Sequence, residues 1–267
     1  MIDVIRARLR QGHRTMRYPD APPPPLPDRF RGRPRIDSSK CQVGCSDCAD
    51  ACPTGAIDLR RDLQGAPRID LGRCLFCTEC ASACPEGALG YGSDYRLAVR
   101  ERSDLVVGED EELRLADALQ GRLRKLFGRS LKLRQVSAGG CNACELDVNV
   151  LNTVGWDLSR FGIQFVASPR HADGLLVTGA LSQNMRLALQ KTYDAVPAPK
   201  IVIAVGACAI SGGPYIGHSE VANGVEGSLS VDLYIAGCPP HPLTILDGLL
   251  RLVGRLEGRR GVRAGAG

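Results

Sequence analysis

The 267-residue chain has no run approaching the roughly 18 consecutive apolar residues that a membrane span needs. Its opening, MIDVIRARLR, spreads arginines where a secretory signal requires an unbroken apolar segment. These two absences point to the cytoplasm. The chain also has no phosphate-cradling loop, because GACAISGG (206–213) lacks the Lys-Ser/Thr ending of a nucleotide-binding turn. No hydrolase triad is visible, and no module that reads nucleic acid accompanies the basic residues.

What remains is a composition of 44% apolar and 24% charged residues, that of a globular protein with one large domain or two smaller ones. There are twelve cysteines. Without an export signal the reducing thiol pool makes metal ligation the better reading than disulfides. The charge is uneven. Residues 1–35 carry nine Arg against three Asp, and 251–267 carry five Arg against one Glu, although the whole chain is only +5. Basic ends on an acidic body suit arms that lie on a partner subunit or an anionic lipid surface, the plain alternative being solvated arginines.

Ile2, Ile5 and Leu9 fall at helical intervals, and the proline-rich YPDAPPPPLPDRFRGRPR that follows must be extended, which makes 1–35 a basic arm. Residues 36–92 are an internal repeat: CSDCADACPTGAI from Cys45 returns 32 positions later as CTECASACPEGAL from Cys77. Residues 93–130 contain EDEELRLADALQGRLRKLFG, acidic first and basic last, which predicts a connecting helix of about four turns. From 131 to 256, apolar runs (LKLRQVS, IQFVAS, GLLVTG, KIVIAVG, VDLYIAG) alternate with helical patterns, which predicts an α/β domain with a parallel sheet covered on both faces. Residues 257–267 are expected to form a flexible tail.

The repeat carries Cys45, Cys48 and Cys52-Pro53, then Cys77, Cys80 and Cys84-Pro85, with Cys41 and Cys74 in front. This resembles the C-x2-C-x2-C-x3-C-P run of two-cluster bacterial ferredoxins, over residues 36–92. The resemblance implies an α+β module with two [4Fe-4S] clusters. In such a run the fourth cysteine crosses to the neighbouring cluster, so one site takes Cys41, Cys45, Cys48 and Cys84, and the other Cys52, Cys74, Cys77 and Cys80. One departure is CQVGC, with three residues between Cys41 and Cys45 where CLFC has two. The extra residue either bulges beside Gly44 or alters the first cluster. Two structural zincs are the competing reading, and they leave the Cys-Pro pairs unexplained.

The other four cysteines, Cys141, Cys144, Cys208 and Cys238, each follow a predicted parallel strand. In an open α/β sheet the carboxyl ends of the strands are where ligands bind, so loops distant in sequence converge there. Gly139, Gly140, Gly206 and Gly237 allow close backbone approach. Four thiolates also suit zinc; two iron–sulphur clusters on the same chain argue against it, since a redox wire gains nothing from ending at a redox-inert metal.

Around these cysteines, GGCNACE, SPRHADGLLVTGAL, GACAISGG and GCPPHP resemble the small subunit of [NiFe]-hydrogenases and the related 20 kDa subunit of NADH:quinone oxidoreductase, over about residues 131–255. The resemblance implies a flavodoxin-like fold, a proximal [4Fe-4S] cluster on these four cysteines, three clusters in all, and a large catalytic subunit as partner. The Cys141-Asn-Ala-Cys144 spacing resembles the hydrogenase branch, whereas the respiratory subunit has adjacent cysteines. Ending soon after its last helix, the chain resembles the membrane-associated, formate hydrogenlyase-like group. The implied role is electron relay without catalysis by this chain, on the inner face of the cell membrane through partner membrane subunits, with a formate dehydrogenase or other electron donor. The alternatives are a complex I-like or nickel-free quinone-reducing complex, and a stand-alone carrier or redox sensor.

Several single residues have two readings. Arg170 and His171 either line the large-subunit interface and tune the cluster or stabilise a loop. His218 and His241 are interface or capping histidines before they are proton carriers. Glu145 either starts a helix or faces the partner, and Arg73 either tunes the second cluster or is exposed.

Overall fold

The computed structural model describes residues 2–12, 14–59, 67–109 and 111–256; the expected tail at 257–267 lies outside the described residues. Helix α1 (Ile2–Gln11) forms as its spacing predicts and buries none of its residues. The proline-rich arm then runs without regular secondary structure along the larger domain. Tyr18 fixes it there: its hydroxyl donates to the carboxylate of Asp247 at 3.0 Å, and Arg160 donates to the carbonyls of Met16 and Tyr18 at 2.5 and 2.7 Å.

The repeat folds as two related halves. The first comprises β1 (Pro34–Ile36), α2 (Asp47–Asp50) and β2 (Ile57–Leu59); the second comprises β3 (Pro67–Asp70), α3 (Glu79–Ala83) and β4 (Leu89–Tyr91). Strand β1 pairs antiparallel with β4, and β2 with β3, so each half completes the sheet of the other.

The connector differs from expectation. Among its described residues it forms β5 (Ala98–Val99), a turn of 3-10 helix (Arg102–Leu105), β6 (Val106–Val107) and one short α-helix, α4 (Gly121–Phe127), with 111–120 lacking regular structure. The reason is tertiary. Leu113, Ala116 and Leu119 are buried, and the Ala116 and Leu119 amides donate to the carbonyls of Ala98 and Leu252 at 2.8 and 2.9 Å, bonds a continuous helix would forbid. Strand β6 extends β3 in the ferredoxin-type module while β5 joins the large sheet, so this segment stitches the modules together.

The large sheet contains β7 (Leu131–Ser137), β8 (Ile163–Phe165), β9 (Gly174–Thr178), β10 (Ile201–Val205) and β11 (Leu233–Ile235) in the order β8-β7-β9-β10-β11, all parallel, with β5 antiparallel at the edge. Counted from its first strand this is the flavodoxin-like order 2-1-3-4-5. All five residues of β9 and of β10 are buried, as strands covered on both faces must be. Alternation divides them. Leu175, Val177, Val202 and Ala204 face a core shared with α6 (Gln183–Ala195), α7 (Ala207–Ser211) and Leu71 and Leu105 beside the repeat. Leu176, Ile201, Ile203 and Val205 face α5 (Ala143–Val150) and α8 (Pro242–Leu252).

Candidate metal centres

The cysteines gather into three groups of four, as judged by which thiols lie within electrostatic reach of one another. Cys41 is pushed up by burial and then by Cys84 and Cys45; Cys48 rises to about 11 by burial, then by Cys84, Cys41 and Cys45. Cys74 rises to about 12 chiefly by burial, with Cys80 and Cys52 adding to it, and Cys80 rises by burial with Cys52 and Cys77 adding. Cys84 thus lies within reach of Cys41 and Cys48, and Cys52 within reach of Cys74 and Cys80. The two crossing sulfurs accept matching backbone amides. Cys52 Sγ accepts the Ala56 amide at 3.2 Å and Cys84 Sγ the Ala88 amide at 3.3 Å, positions related by the repeat. The extra residue in CQVGC is taken up by an outward turn: Gly44 has φ +85° and Val43 is 94% exposed, while Cys45 stays with its group.

Cys141 lies in the loop after β7, Cys144 starts α5, Cys208 starts α7 after β10, and Cys238 follows β11, so all four sit beyond the carboxyl ends of the sheet. The strand order reverses between β7 and β9, which puts this group beside the switch point of the fold. Burial raises the thiols of Cys144, Cys208 and Cys238, and in each case neighbouring cysteines of the group add to the rise; Cys208 reaches about 11. Glycine is required at two points. A Cβ on Gly206, whose φ is +89°, would lie 2.6 Å from Cys144 Sγ, and one on Gly213 would lie 2.7 Å from Cys208 Sγ. Cys141 and Cys238 are exposed, so the group opens on one side to solvent.

The second and third groups are neighbours. The charge of Cys77 reaches Cys238, and a Cβ on Gly72, just before Cys74, would lie 2.7 Å from Ile210 Cγ2, just after Cys208.

Other candidates have local roles. Glu145 lies in the first turn of α5 and is 6% exposed; its carboxylate accepts from the Thr178 hydroxyl at 2.6 Å, so it is anchored inward and not presented to a partner. His241 caps α8, its Nδ1 accepting the Leu243 amide at 3.1 Å, and His218 Nδ1 accepts the Glu220 amide at 3.2 Å. Arg170 and His171 are exposed in a short turn that precedes β9, at the edge of the sheet away from the cysteines, so the geometry brings them to no cluster site. Arg73 pairs with Asp70 at 3.7 Å. Two contacts of the second group escape the sequence pattern: Tyr91, whose hydroxyl lies 3.6 Å from Cys80 Sγ and 3.9 Å from Cys74 Sγ, and Arg31, which donates to the Phe76 carbonyl at 3.0 Å. The tyrosine is signalled only by aligning the two halves of the repeat; nothing local marks the arginine.

Among the described residues, no three His, Cys, Asp or Glu side chains converge tightly enough to hold a single metal ion. Thiols gathered in fours, with Cys48, Cys74, Cys144 and Cys208 raised by burial and by neighbouring thiols and with backbone amides donating to the sulfurs of Cys52, Cys74 and Cys84, make a donor set suited to a polynuclear cationic core: such a core relieves the repulsion among thiolates that burial makes costly.

A flavodoxin-like sheet bearing four thiols at its carboxyl edge, joined to a pseudo-twofold ferredoxin-type module, defines an iron–sulphur electron-transfer protein. Residues 141–252 match the family described as NADH ubiquinone oxidoreductase, 20 Kd subunit, and residues 26–88 match the 4Fe-4S dicluster domain. The chain belongs to the family of that 20 kDa subunit, whose members are subunits of oxidoreductases. It is 41% identical over 140 residues to formate hydrogenlyase subunit 7 of Escherichia coli, covering 52% of this chain and 55% of that one. It is 39% identical to the probable membrane-bound hydrogenase subunit mbhJ of Pyrococcus furiosus, over 50% of this chain and 80% of that one. It is 42% identical to a subunit of the NADH-quinone oxidoreductase of Clostridium beijerinckii, over 42% of this chain and 68% of that one. The chain thus spans little more than half the length of the formate hydrogenlyase subunit. No helix among the described residues is long and apolar enough to cross a membrane.

Proposed function

We propose that this chain is the electron-transfer subunit of a membrane-associated [NiFe]-hydrogenase complex of the formate hydrogenlyase type, holding three [4Fe-4S] clusters. The observation that carries the reading is the contiguity of the three thiol groups. The first and second share the crossing cysteines Cys52 and Cys84, and the second meets the third where Cys77 faces Cys238. Each bound cluster supplies a one-electron redox centre. The chain's own residues hold the ligands at fixed spacing, keep water from the buried sulfurs and donate hydrogen bonds to them. The open side, where Cys141 and Cys238 are exposed, is the face for a large catalytic subunit.

The hydrogenase branch is favoured over a complex I-like quinone reductase by the Cys141-x-x-Cys144 spacing, which in the resemblance separates the two. Attachment to the inner face of the cell membrane is through partner membrane subunits, with a formate dehydrogenase or similar protein as donor. Helix α1 supports a direct contact as well: Ile2, Ile5 and Leu9 are more than half exposed on one face, flanked by Arg6, Arg8 and Arg10, a pattern suited to an anionic lipid surface.

The test is anaerobic purification with iron, zinc and nickel analysis and EPR of the reduced protein. About twelve irons per chain are expected, four for each cluster. About eight irons with one zinc would remove the third cluster, and nickel bound to this chain would contradict its assignment to a partner. Co-sedimentation with phosphatidylglycerol vesicles, lost when residues 1–14 are deleted, is expected if α1 lies on lipid.

A further inference from the structure

The two halves of the ferredoxin-type module repeat their ligands faithfully but differ in what surrounds them. In the second half, CPEGALGY ends on Tyr91; the matching residue of CPTGAIDL, 32 positions earlier, is Leu59, which has no donor. Tyr91 is half-buried at the end of β4, and its hydroxyl reaches two sulfurs of one group, 3.6 Å from Cys80 Sγ and 3.9 Å from Cys74 Sγ. Once these sulfurs are metal-bound thiolates they have no proton to give, so the hydroxyl must be the donor. Among the described residues no side-chain hydroxyl stands in that relation to the first group.

The charges differ in the same sense. Arg31 brings a guanidinium to the Phe76 carbonyl, between Cys74 and Cys77, at 3.0 Å. The first group has carboxylates nearby instead: Glu109 and Asp37 act on Cys41, and Glu109 is held in place by the Ser38 amide at 3.1 Å. Reduction adds negative charge to a cluster. A hydrogen bond to its sulfurs and a nearby cation favour the reduced form, and carboxylates oppose it. Arg31 is exposed and therefore screened, so the hydroxyl is the stronger influence.

We propose that Tyr91 is a tuning residue that sets the second ferredoxin cluster at a higher potential than the first, so that the potential steps upward toward the cluster beside Cys238. The inference rests on the cluster assignments above. It adds a direction to them: an electron entering at the first group runs downhill to the second, the one that adjoins the catalytic side.

The test is potentiometric EPR of the reconstituted full chain, wild type against Tyr91→Phe, with the second cluster identified by the signal that a Cys77→Ser variant alters. The expected result is that the reduction equilibrium of the second cluster alone falls about tenfold, equivalent to about 59 mV for one electron, while the other midpoints hold. ENDOR of the wild type in deuterium oxide is expected to show an exchangeable deuteron coupled to that cluster and lost in Tyr91→Phe. Should the variant fail to load its clusters, the wild-type ENDOR decides, and absence of that deuteron overturns the proposal. Midpoints that do not change, or that all shift together, overturn it as well. A wild-type chain that binds too little iron for two ferredoxin clusters defeats the parent reading, and this inference with it, and is told apart by the iron count.

Discussion

Gly72 and Ile210 meet at the seam between the two cysteine-bearing modules, where a methyl group on the glycine would lie 2.7 Å from Ile210 Cγ2. The neighbours leave no room to yield. The same methyl would lie 2.8 Å from Arg102 Cζ, and Arg102 is fixed by two hydrogen bonds to Asp70, at 2.8 and 2.6 Å. Absence of a side chain at position 72 is thus what lets the loop of Cys74 approach the helix of Cys208.

Gly72→Val is therefore expected to destabilise the chain by about 1–3 kcal/mol through overpacking, and to weaken the magnetic interaction between the second and third clusters in the reduced protein. Ile210→Ala in the same chain should recover part of both, because the two side chains share one space. Additive losses in the double variant would mean that the seam is not set by this contact.

Gly206 makes a similar demand inside the third site. Its φ of +89° disfavours any side chain, and a Cβ there would strike Cys144 Sγ at 2.6 Å. With three clusters in the wild type as proposed, Gly206→Ala should lower the iron content from about twelve to about eight per chain while leaving both ferredoxin-type EPR signals in place. Full iron content in the variant would show that Cys144 can move without loss of the site.

Much of this is legible in the residue pattern, for physical reasons. Thiolates must surround a cluster at short spacing, so Cys45, Cys48, Cys77 and Cys80 announce themselves, and buried parallel strands must be apolar throughout, as in IVIAV at 201–205. The connector misleads because Leu113, Ala116 and Leu119 have helical spacing, yet Ala116 and Leu119 spend their backbone bonds on Ala98 and Leu252, partners outside any local helix. The arm reads as a bare extension for a similar reason: Tyr18, Phe30 and Arg31 acquire their roles only when the chain folds them against Asp247, His241 and Phe76. Inward and outward readings of Glu145 are equally open in the sequence, since only the position of Thr178 in space decides between them.

The arm's anchor can be measured. Asp247 is 1% exposed and accepts from Tyr18 at 3.0 Å and from Arg251 Nε at 2.7 Å. Tyr18→Phe removes one donor and should cost about 1–3 kcal/mol. Asp247→Ala strands the guanidinium of Arg251, 15% exposed, and should cost about 3–5 kcal/mol. Both variants should be cut sooner by protease within residues 19–30, the span that the anchor holds down. Unchanged cleavage would show that the arm is held elsewhere.

His241 gives the fold a pH dependence whose sign follows from its burial. It stands between Phe30 and Trp156, ring centroids 5.5 and 6.1 Å away, and its Nδ1 must be unprotonated to accept the Leu243 amide. Burial lowers its pKa from the usual 6.5. The unfolded chain therefore takes up a proton before the folded one does, so this residue's contribution is intact above pH 6.5 and is lost as the pH falls through the lower, folded value. Asn at this position keeps an acceptor for the cap, worth about 1 kcal/mol, and does not titrate. His241→Asn compared with wild type, by anaerobic urea unfolding of the intact chain at about pH 7.5 and 5.5, should show the wild type losing more stability on acidification. Cluster lability in acid is common to both proteins and cancels in the difference. Equal losses would mean that the histidine is protonated without cost in the folded chain, and that the cap does not depend on its free ring nitrogen.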